Sequence, residues 1–310
     1  MSTPTSFEKT TIQIPSKTPE WNLDTWRFLP AGGYAKPYPV IVMAPGFTCT
    51  KRMSLEAYAE TFASNGYACL LFDYRRWGTS DGTPRNVVDI NEQMEDYKAV
   101  IKYARQNSEE YDGSRVVLWG TSFSGGHVIR LGSDQSLSLS AIIASNPYVG
   151  GSVPITFNFG LVKTSAYVLA GIIKKLFGMF GASEPVYIQS AGRPGEVAAM
   201  TTAGVLEAVK SMAPEESDWE NRVAASSIPQ VLFYNPLSYS SSVKIPILVM
   251  ICGADIECSP VRAKLASEKV QQGESHTLVG SSHEGLYAGK KFFGEASEKE
   301  LEFLKRVVPV

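Results

Sequence analysis

Two serines stand two positions apart in the stretch WGTSFSGGHV, residues 119–128, and both are candidate nucleophiles. The signature Gly-x-Ser-x-Gly puts a reactive serine on a sharp turn between a strand and a helix. Around Ser122 the first glycine is present as Gly120, whereas around Ser124 the second is present as Gly126. Each serine therefore satisfies half of the signature, and the neighbouring elements have to decide between them.

The elements on either side of the pair favour Ser122. The apolar run RVVLW predicts a buried strand that ends near Trp119, so the tight turn falls on residues 120–122 and a helix begins at Phe123 or Ser124. The small residues after Ser122 let that helix start pack closely against neighbouring strands. We predict that Ser122 is the nucleophile, and a glycine- and serine-rich loop without chemistry is the alternative on this motif alone.

A serine nucleophile needs a base and an acid that orients the base. The chain has three histidines. His283 follows the last predicted strand, HTLVG, on a loop at the strand's carboxyl end, where the base of such a site belongs. His127, on the helix after Ser122, and His276, at the start of a strand, are expected to be structural. We predict that His283 is the base.

Two carboxylates follow the preceding strand, ILVMICG, and are candidates for the acid. Asp255 comes first after the strand end, and its short side chain would hold an imidazole with less freedom than Glu257 would. We predict Asp255 as the acid and keep Glu257 as the alternative. The resulting chain order, Ser122, Asp255, His283, is that of the α/β-hydrolases.

Acyl transfer also requires donors for the oxyanion of the tetrahedral intermediate. One predicted donor is the Phe123 N–H, directly after the nucleophile. The second is the Phe47 N–H in the loop MAPGFTCT, where Gly46 lets the backbone turn and Pro45 has no N–H to offer. Phe47 and Trp77 are also expected to contact substrate at the mouth of the site.

The elements that must position these residues alternate regularly. Short apolar runs and amphipathic stretches predict an α/β fold with a mostly parallel eight-stranded sheet. The first two of the eight strands are expected to be antiparallel. The alternation stops between Tyr148 and Lys244. We predict a hydrolase-type core over 1–148 and 244–310 and an inserted helical cap over 149–243, with helices near 162–180 and 196–212.

The first cap helix carries more apolar side chains than one buried stripe requires. We expect some of them to enclose an apolar chamber beside Ser122. The residues are Leu161, Val162, Tyr167, Val168, Leu169, Ile172, Ile173, Leu176, Phe177 and Phe180.

Composition excludes several function classes. A net charge of -2 with scattered Lys and Arg provides no basic field for nucleic acid. The polar N-terminus lacks the apolar core of a secretory signal, so we expect a cytoplasmic protein. The most apolar stretch, residues 165–181, is interrupted by Lys174 and Lys175 and is short for a bilayer, so we predict no membrane insertion, although a helix lying on a membrane surface stays open.

The cysteine spacing does not predict a zinc or redox site of the Cys-x-x-Cys kind. We interpret the cysteines as reduced thiols, and Cys258, without a histidine beside it in sequence, is not expected to be a nucleophile. No phosphate-binding loop or metal-ligand cluster is visible, so we expect no cofactor and no metal. The four cysteines are Cys49, Cys69, Cys252 and Cys258.

Three segments carry a likeness to a known family: residues 39–82, 118–128 and 281–304. They resemble a branch of the α/β-hydrolase superfamily that includes bacterial esterases related to acetyl-xylan esterases and dienelactone hydrolases. The branch also includes fungal polyketide transferases and hydrolases of natural-product clusters. The resemblance implies the α/β-hydrolase fold and a triad at Ser122, Asp255 and His283.

The sequence departs from that branch at two places. Pro45-Gly46 stands where His-Gly is frequent. The proline that commonly comes four residues after the acid comes five after Asp255, at Pro260, which keeps Glu257 in consideration.

Three functions are consistent with these residues. The leading hypothesis is a serine hydrolase that forms an acyl-enzyme from an ester or thioester of a hydrophobic acyl group, as in polyketide release in secondary metabolism. The second is an acyltransferase or cyclase that passes the acyl group to an alcohol or amine, and the third is a catalytically silent ligand-binding protein. The expected partner is a small acyl ester or thioester, free or bound to a carrier protein, and a homodimer is compatible with the sequence.

Overall fold

The computed structural model describes residues 6–151, 159–178, 184–214 and 218–310. Its strands in chain order are β1 (Phe7–Pro15), β2 (Asn22–Pro30), β3 (Tyr38–Ala44), β4 (Ala68–Phe72), β5 (Tyr111–Thr121), β6 (Ala141–Ser145), β7 (Tyr187–Ala191), β8 (Ala198–Met200), β9 (Val223–Ala224), β10 (Ile247–Cys252) and β11 (Gly273–Leu278). Its α-helices are α1 (Glu56–Ala63), α2 (Ile90–Gln106), α3 (Phe123–Gly132), α4 (Phe159–Gly178), α5 (Val205–Met212), α6 (Ile228–Phe233), α7 (Pro260–Glu268) and α8 (Phe293–Val307).

Eight strands form one central sheet in the order β1-β2-β4-β3-β5-β6-β10-β11. β2 pairs antiparallel with β1 and with β4, and the remaining neighbours pair in parallel. This arrangement confirms the predicted α/β-hydrolase fold with two antiparallel strands at its start. Because parallel neighbours share a direction, the loops after β3, β5, β6, β10 and β11 all leave at one edge of the sheet.

Helices cover both faces of the sheet, which explains why the central strands are apolar throughout rather than alternating. One core cluster joins the sheet to α2, α3 and α7, and the other joins it to α1 and α8. β3, β4 and β6 are buried at every position.

A buried carboxyl ties α8 to two of the central strands. Glu300 accepts hydrogen bonds from the Trp119 indole N–H at 2.8 Å and from the Ser145 hydroxyl at 2.8 Å. Burial raises the pKa of Glu300 from 4.5 to about 7. Trp119 and Ser145 lie on β5 and β6, close to the ends from which the site loops leave, so this contact braces those strand ends.

The segment between β6 and β10 is not purely helical, which corrects the expected helical cap. It contains α4, α5 and α6 together with a three-stranded sheet in the order β8-β7-β9. Where a helix over 196–212 is expected, β8 comes first and α5 begins only after Gly204, whose φ of 88° is unfavourable for other residues. The strand pairing of β8 with β7 outweighs local helical periodicity, and the boundaries 149–243 stay a prediction.

Several of the apolar side chains of α4 are exposed, and the chamber that the other side chains would line stays a prediction. Tyr167, Leu169, Ile173 and Leu176 are exposed, while Val168 packs against the core. The side chains of Leu161, Val162, Phe177 and Phe180, which belong to the same prediction, lie outside the described residues. Among the helices of the described ranges, none combines the length and the apolarity that crossing a membrane requires.

Candidate active site

Ser122 occupies the turn between β5, which ends at Thr121, and α3, which begins at Phe123. Its backbone has φ 55° and ψ -117°, a conformation that is costly for any residue with a side chain. Two backbone hydrogen bonds hold it there, from the Ser122 N–H to the Ser145 carbonyl at 2.9 Å and from the Tyr148 N–H to the Ser122 carbonyl at 2.8 Å. The hydroxyl is thereby presented at the carboxyl edge of the sheet.

Of the three residues predicted as a triad, His283 lies within hydrogen-bonding distance of both Ser122 and Asp255. The Ser122 Oγ is 3.1 Å from the Nε2 of His283, and the Nδ1 of His283 is 2.6 Å from the Oδ2 of Asp255. In the neutral form of His283 the carboxylate accepts the Nδ1 proton, so the lone pair of Nε2 faces the Ser122 hydroxyl. This arrangement can remove the hydroxyl proton as the oxygen attacks a carbonyl.

The turn after β10 directs Asp255 toward the imidazole and Glu257 away from it. Asp255 Oδ1 accepts the backbone N–H groups of Glu257 and Cys258, each at 2.8 Å. The Glu257 carboxylate instead accepts a hydrogen bond from the hydroxyl of Thr202, which follows β8. Burial raises the pKa of Glu257, which favours its neutral form. Of the two acid candidates, Asp255 is the one that contacts His283.

Sequence reasoning missed Asn146, which supports the histidine loop. Its amide donates to the His283 carbonyl at 2.9 Å, and its own carbonyl oxygen accepts the Thr121 hydroxyl at 2.8 Å. Thr121 also bonds the Tyr287 hydroxyl at 2.9 Å. Asn146 follows β6 directly, so the rule that site residues stand just after strand ends could have found it.

Cys258, which is not expected from the sequence to be a nucleophile, lies close to His283 in the fold. A donor atom from each of Asp255, Cys258 and His283 lies within 4.8 Å of the other two. Burial raises the pKa of the Cys258 thiol. The absence of a histidine next to Cys258 in sequence therefore says nothing about its neighbours in space.

The pKa of His283 lies well above its ordinary value of 6.5. Burial by itself lowers this pKa, but the Asp255 carboxylate 2.6 Å from the ring raises it by more. The electrostatics of the site therefore favour the imidazolium that forms when His283 takes a proton.

The predicted oxyanion donors lie on either side of Ser122. The loop after β3 passes so close that a Cβ on Gly46 would stand 3.0 Å from the Ser122 Cβ, so a side chain at this position would crowd the nucleophile. Phe47 follows Gly46, and Phe123 follows Ser122. Within the described part of the chain, neither the Phe47 N–H nor the Phe123 N–H has a hydrogen-bond partner, as donors awaiting an oxyanion require.

Ser124 is fully buried and holds the loop that follows β3. Its hydroxyl donates to the Pro45 carbonyl and is 2.5 Å from the Tyr74 hydroxyl. These contacts give the second serine of the motif a structural task one residue away from Gly46.

The other two histidines make structural contacts. His127 is buried between the Tyr234 hydroxyl and the Gln93 side-chain oxygen, each at 2.9 Å, and burial lowers its pKa to about 3. His276 pairs with Glu295 at 2.7 Å on the surface.

Aromatic rings pack around the residue that follows Ser122. The ring of Phe123 contacts those of Phe47, Tyr148 and Tyr234, with centroids 5.6, 5.7 and 5.5 Å apart. Trp77 is almost fully buried, and its indole N–H donates to the Val87 carbonyl at 2.8 Å. Trp77 supports its loop from within the core, and a contact between Trp77 and substrate stays a prediction.

Comparisons with known proteins agree with the fold described above. The family model described as "Serine aminopeptidase, S33" matches residues 35–208. The quorum-quenching protein AidA of Acinetobacter baumannii is 35% identical over 274 residues, covering 88% of each chain. Thiohydrolase aneE of Aspergillus aculeatus is 29% identical, covering 87% of this chain and 86% of the relative. The crystal structure of the α/β-hydrolase GrgF from Penicillium matches with a TM-score of 0.80 at 21% identity, over 98% of this chain and 100% of that one.

Proposed function

The chain belongs to the α/β-hydrolase family described as serine aminopeptidase, S33, and from this premise we propose that it is a serine hydrolase acting through an acyl-enzyme on Ser122. The observation that carries the proposal is the pair of contacts at His283, 3.1 Å from its Nε2 to the Ser122 Oγ and 2.6 Å from its Nδ1 to Asp255. The substrate is an ester or thioester of a hydrophobic acyl group.

In the proposed reaction, His283 Nε2 takes the hydroxyl proton while the Ser122 oxygen bonds to the substrate carbonyl carbon. The carbonyl oxygen becomes an anion that accepts the N–H groups of Phe47 and Phe123. The intermediate then collapses, the bond to the leaving oxygen or sulfur breaks, and His283 gives that atom its proton. Water, activated by the same imidazole, releases the acid and restores Ser122.

The character of the acyl group rests on the aromatic rings and on the relatives. Phe47, Phe123, Tyr148 and Tyr234 form a cluster that would favour an apolar chain beside Ser122. Relatives named as a thiohydrolase and a polyketide transferase support a thioester substrate of secondary metabolism.

An acceptor other than water is the second candidate. It is favoured by the relatives named acyltransferase drtE of Aspergillus calidoustus and polyketide transferase ATR5 of Stachybotrys chlorohalonatus, at 26% and 27% identity. The triad chemistry is the same up to the acyl-enzyme, and only the group that attacks it differs. Adding primary alcohols and amines during turnover separates the two: a transferase yields the new ester or amide in preference to the free acid.

Intact-protein mass spectrometry after brief exposure to acyl thioesters tests the acyl-enzyme. We expect added mass that localises to Ser122, none on the Ser122→Ala variant, and very slow acylation of His283→Ala. Ser124→Ala is the matched control and should still acylate. Mass trapped on another residue, or on none across the panel, would contradict the proposal.

The chain length of the acyl group tests the hydrophobic substrate. Each buried methylene contributes about 0.8 kcal/mol, so kcat/KM should climb several-fold for every two carbons until the pocket is full. N-acetylcysteamine thioesters from acetyl to dodecanoyl measure this. A maximum at acetyl with a steep fall afterwards would show that the aromatic cluster only packs the core.

A further inference from the structure

We propose that Asp255, Cys258 and His283 form a binding site for Zn²⁺, and that the bound ion switches the hydrolase off reversibly. One donor atom from each residue lies within 4.8 Å of the other two. The sequence positions, three and twenty-five residues apart, have no metal-site spacing. Only the fold, which brings the loops after β10 and β11 together, places these three potential donor atoms near one another.

The donor set selects the ion. Imidazole nitrogen, cysteine sulfur and carboxylate oxygen are the three ligand types of Zn²⁺, whereas Mg²⁺ and Ca²⁺ require oxygen. Zinc bonds of about 2.0 Å to nitrogen and oxygen and about 2.3 Å to sulfur put tetrahedral ligands roughly 3.3–3.6 Å apart. The observed separations need adjust only by about an ångström, a change that side-chain rotation provides.

The backbone already orders the three donors. The Cys258 N–H bonds Asp255 Oδ1 at 2.8 Å, so thiol and carboxylate belong to one short turn. Ser259 then caps α7 by accepting the Arg262 N–H at 3.3 Å. The Asn146 amide fixes the His283 carbonyl from the other side at 2.9 Å. Three protein ligands with a fourth position for water is the usual make-up of an open zinc site.

Metal binding removes the base whichever ring nitrogen is used. Coordination through Nδ1 moves the proton that His283 shares with Asp255 to Nε2, where it occupies the lone pair that Ser122 needs, and coordination through Nε2 takes that lone pair directly. Formation of the zinc–sulfur bond breaks the S–H bond of Cys258 and releases that proton to the buffer. No electrons are transferred, so a chelator restores the free site.

Titration calorimetry on the Ser122→Ala protein tests the site without any need for turnover. We expect one Zn²⁺ per chain, with proton release that scales with the ionisation enthalpy of the buffer. Cys258→Ser should weaken binding at least about a hundredfold, since even loss of an outer-shell partner costs ten- to a hundredfold. Cys252→Ser is the matched control, because its buried thiol faces the His283 carbonyl at 3.8 Å, and it should bind as the parent does. Equal affinity of the Cys258→Ser and parent proteins would overturn the proposal.

Cobalt provides a readout that does not depend on a Cys258 variant. Co²⁺ bound to the protein should show a thiolate charge-transfer band in the near ultraviolet that Zn²⁺ displaces, and a cobalt spectrum without that band would also overturn the proposal. Where esterase activity is present, Zn²⁺ should inhibit it and EDTA should restore it. Since calorimetry and spectra need no activity, a failure of the proposed function leaves the zinc site testable.

Discussion

Replacement of Asp255 by asparagine should reverse the tautomer of His283. Asp255 Oδ1 accepts two backbone N–H groups, from Glu257 and Cys258, each at 2.8 Å. In Asp255→Asn the amide oxygen has to stay at that position, because the NH₂ group cannot accept those donors. The NH₂ group therefore faces His283 Nδ1, donates to it, and leaves the ring proton on Nε2, where it blocks proton transfer from Ser122.

The magnitude follows from the two backbone bonds. Turning the amide over would leave two buried N–H groups unsatisfied, at about 1–3 kcal/mol each, so the blocking orientation predominates. A triad with the wrong tautomer and intact geometry loses about 10⁴-fold in kcat, or roughly 5.5 kcal/mol. We expect a loss of this order for Asp255→Asn.

The assay compares Asp255→Asn with Glu257→Gln in hydrolysis of p-nitrophenyl esters and in labelling by a fluorophosphonate. The glutamine can still accept the Thr202 hydroxyl, so Glu257→Gln should change kcat by no more than a factor of about three. Retention of more than about a tenth of the parent kcat by Asp255→Asn would refute the forced tautomer. The reverse ranking would identify Glu257 as the acid.

Three further outcomes are expected. Ser122→Ala should abolish hydrolysis, whereas Ser124→Ala, which loses its bonds to the Pro45 carbonyl and the Tyr74 hydroxyl, should cost about tenfold in kcat/KM; equal losses would contradict their separate tasks. Because the neutral ring of His283 is the base and its pKa is raised, kcat/KM should fall as pH falls through that pKa, so a pH profile already flat at pH 6 would contradict the shift. The raised pKa of Glu300, about 7 against 4.5, lowers the free energy of unfolding as pH rises between those values. Measured by urea unfolding, the free energy of unfolding of the parent should therefore fall by about 3 kcal/mol relative to that of Glu300→Gln between pH 4 and pH 8. A difference between the two proteins that does not change with pH would contradict the raised pKa.

Local patterns in the sequence were sufficient to predict the central sheet and the residues at its carboxyl edge. Buried strands in a covered parallel sheet are continuous apolar runs, so RVVLW predicted where β5 ends and therefore which serine stands on the turn. Residues just after strand ends gather at one edge of the sheet. Chain order alone therefore selected His283 as the base and Asp255 or Glu257 as the acid. Periodicity and strand order carry this information because they do not depend on the path of any loop.

Tertiary structure decided whatever depends on the paths of loops. The turn that folds two backbone N–H groups onto Asp255 points Glu257 toward Thr202, and no sequence periodicity encodes that direction. The same turn carries Cys258 to His283, twenty-five residues further along the chain. In α4 the apolar pattern could not distinguish a side chain that faces a chamber from one that faces solvent, because a helix repeats its faces whatever lies against them. Which face is covered depends on the packing of distant elements, and only the folded chain determines that packing.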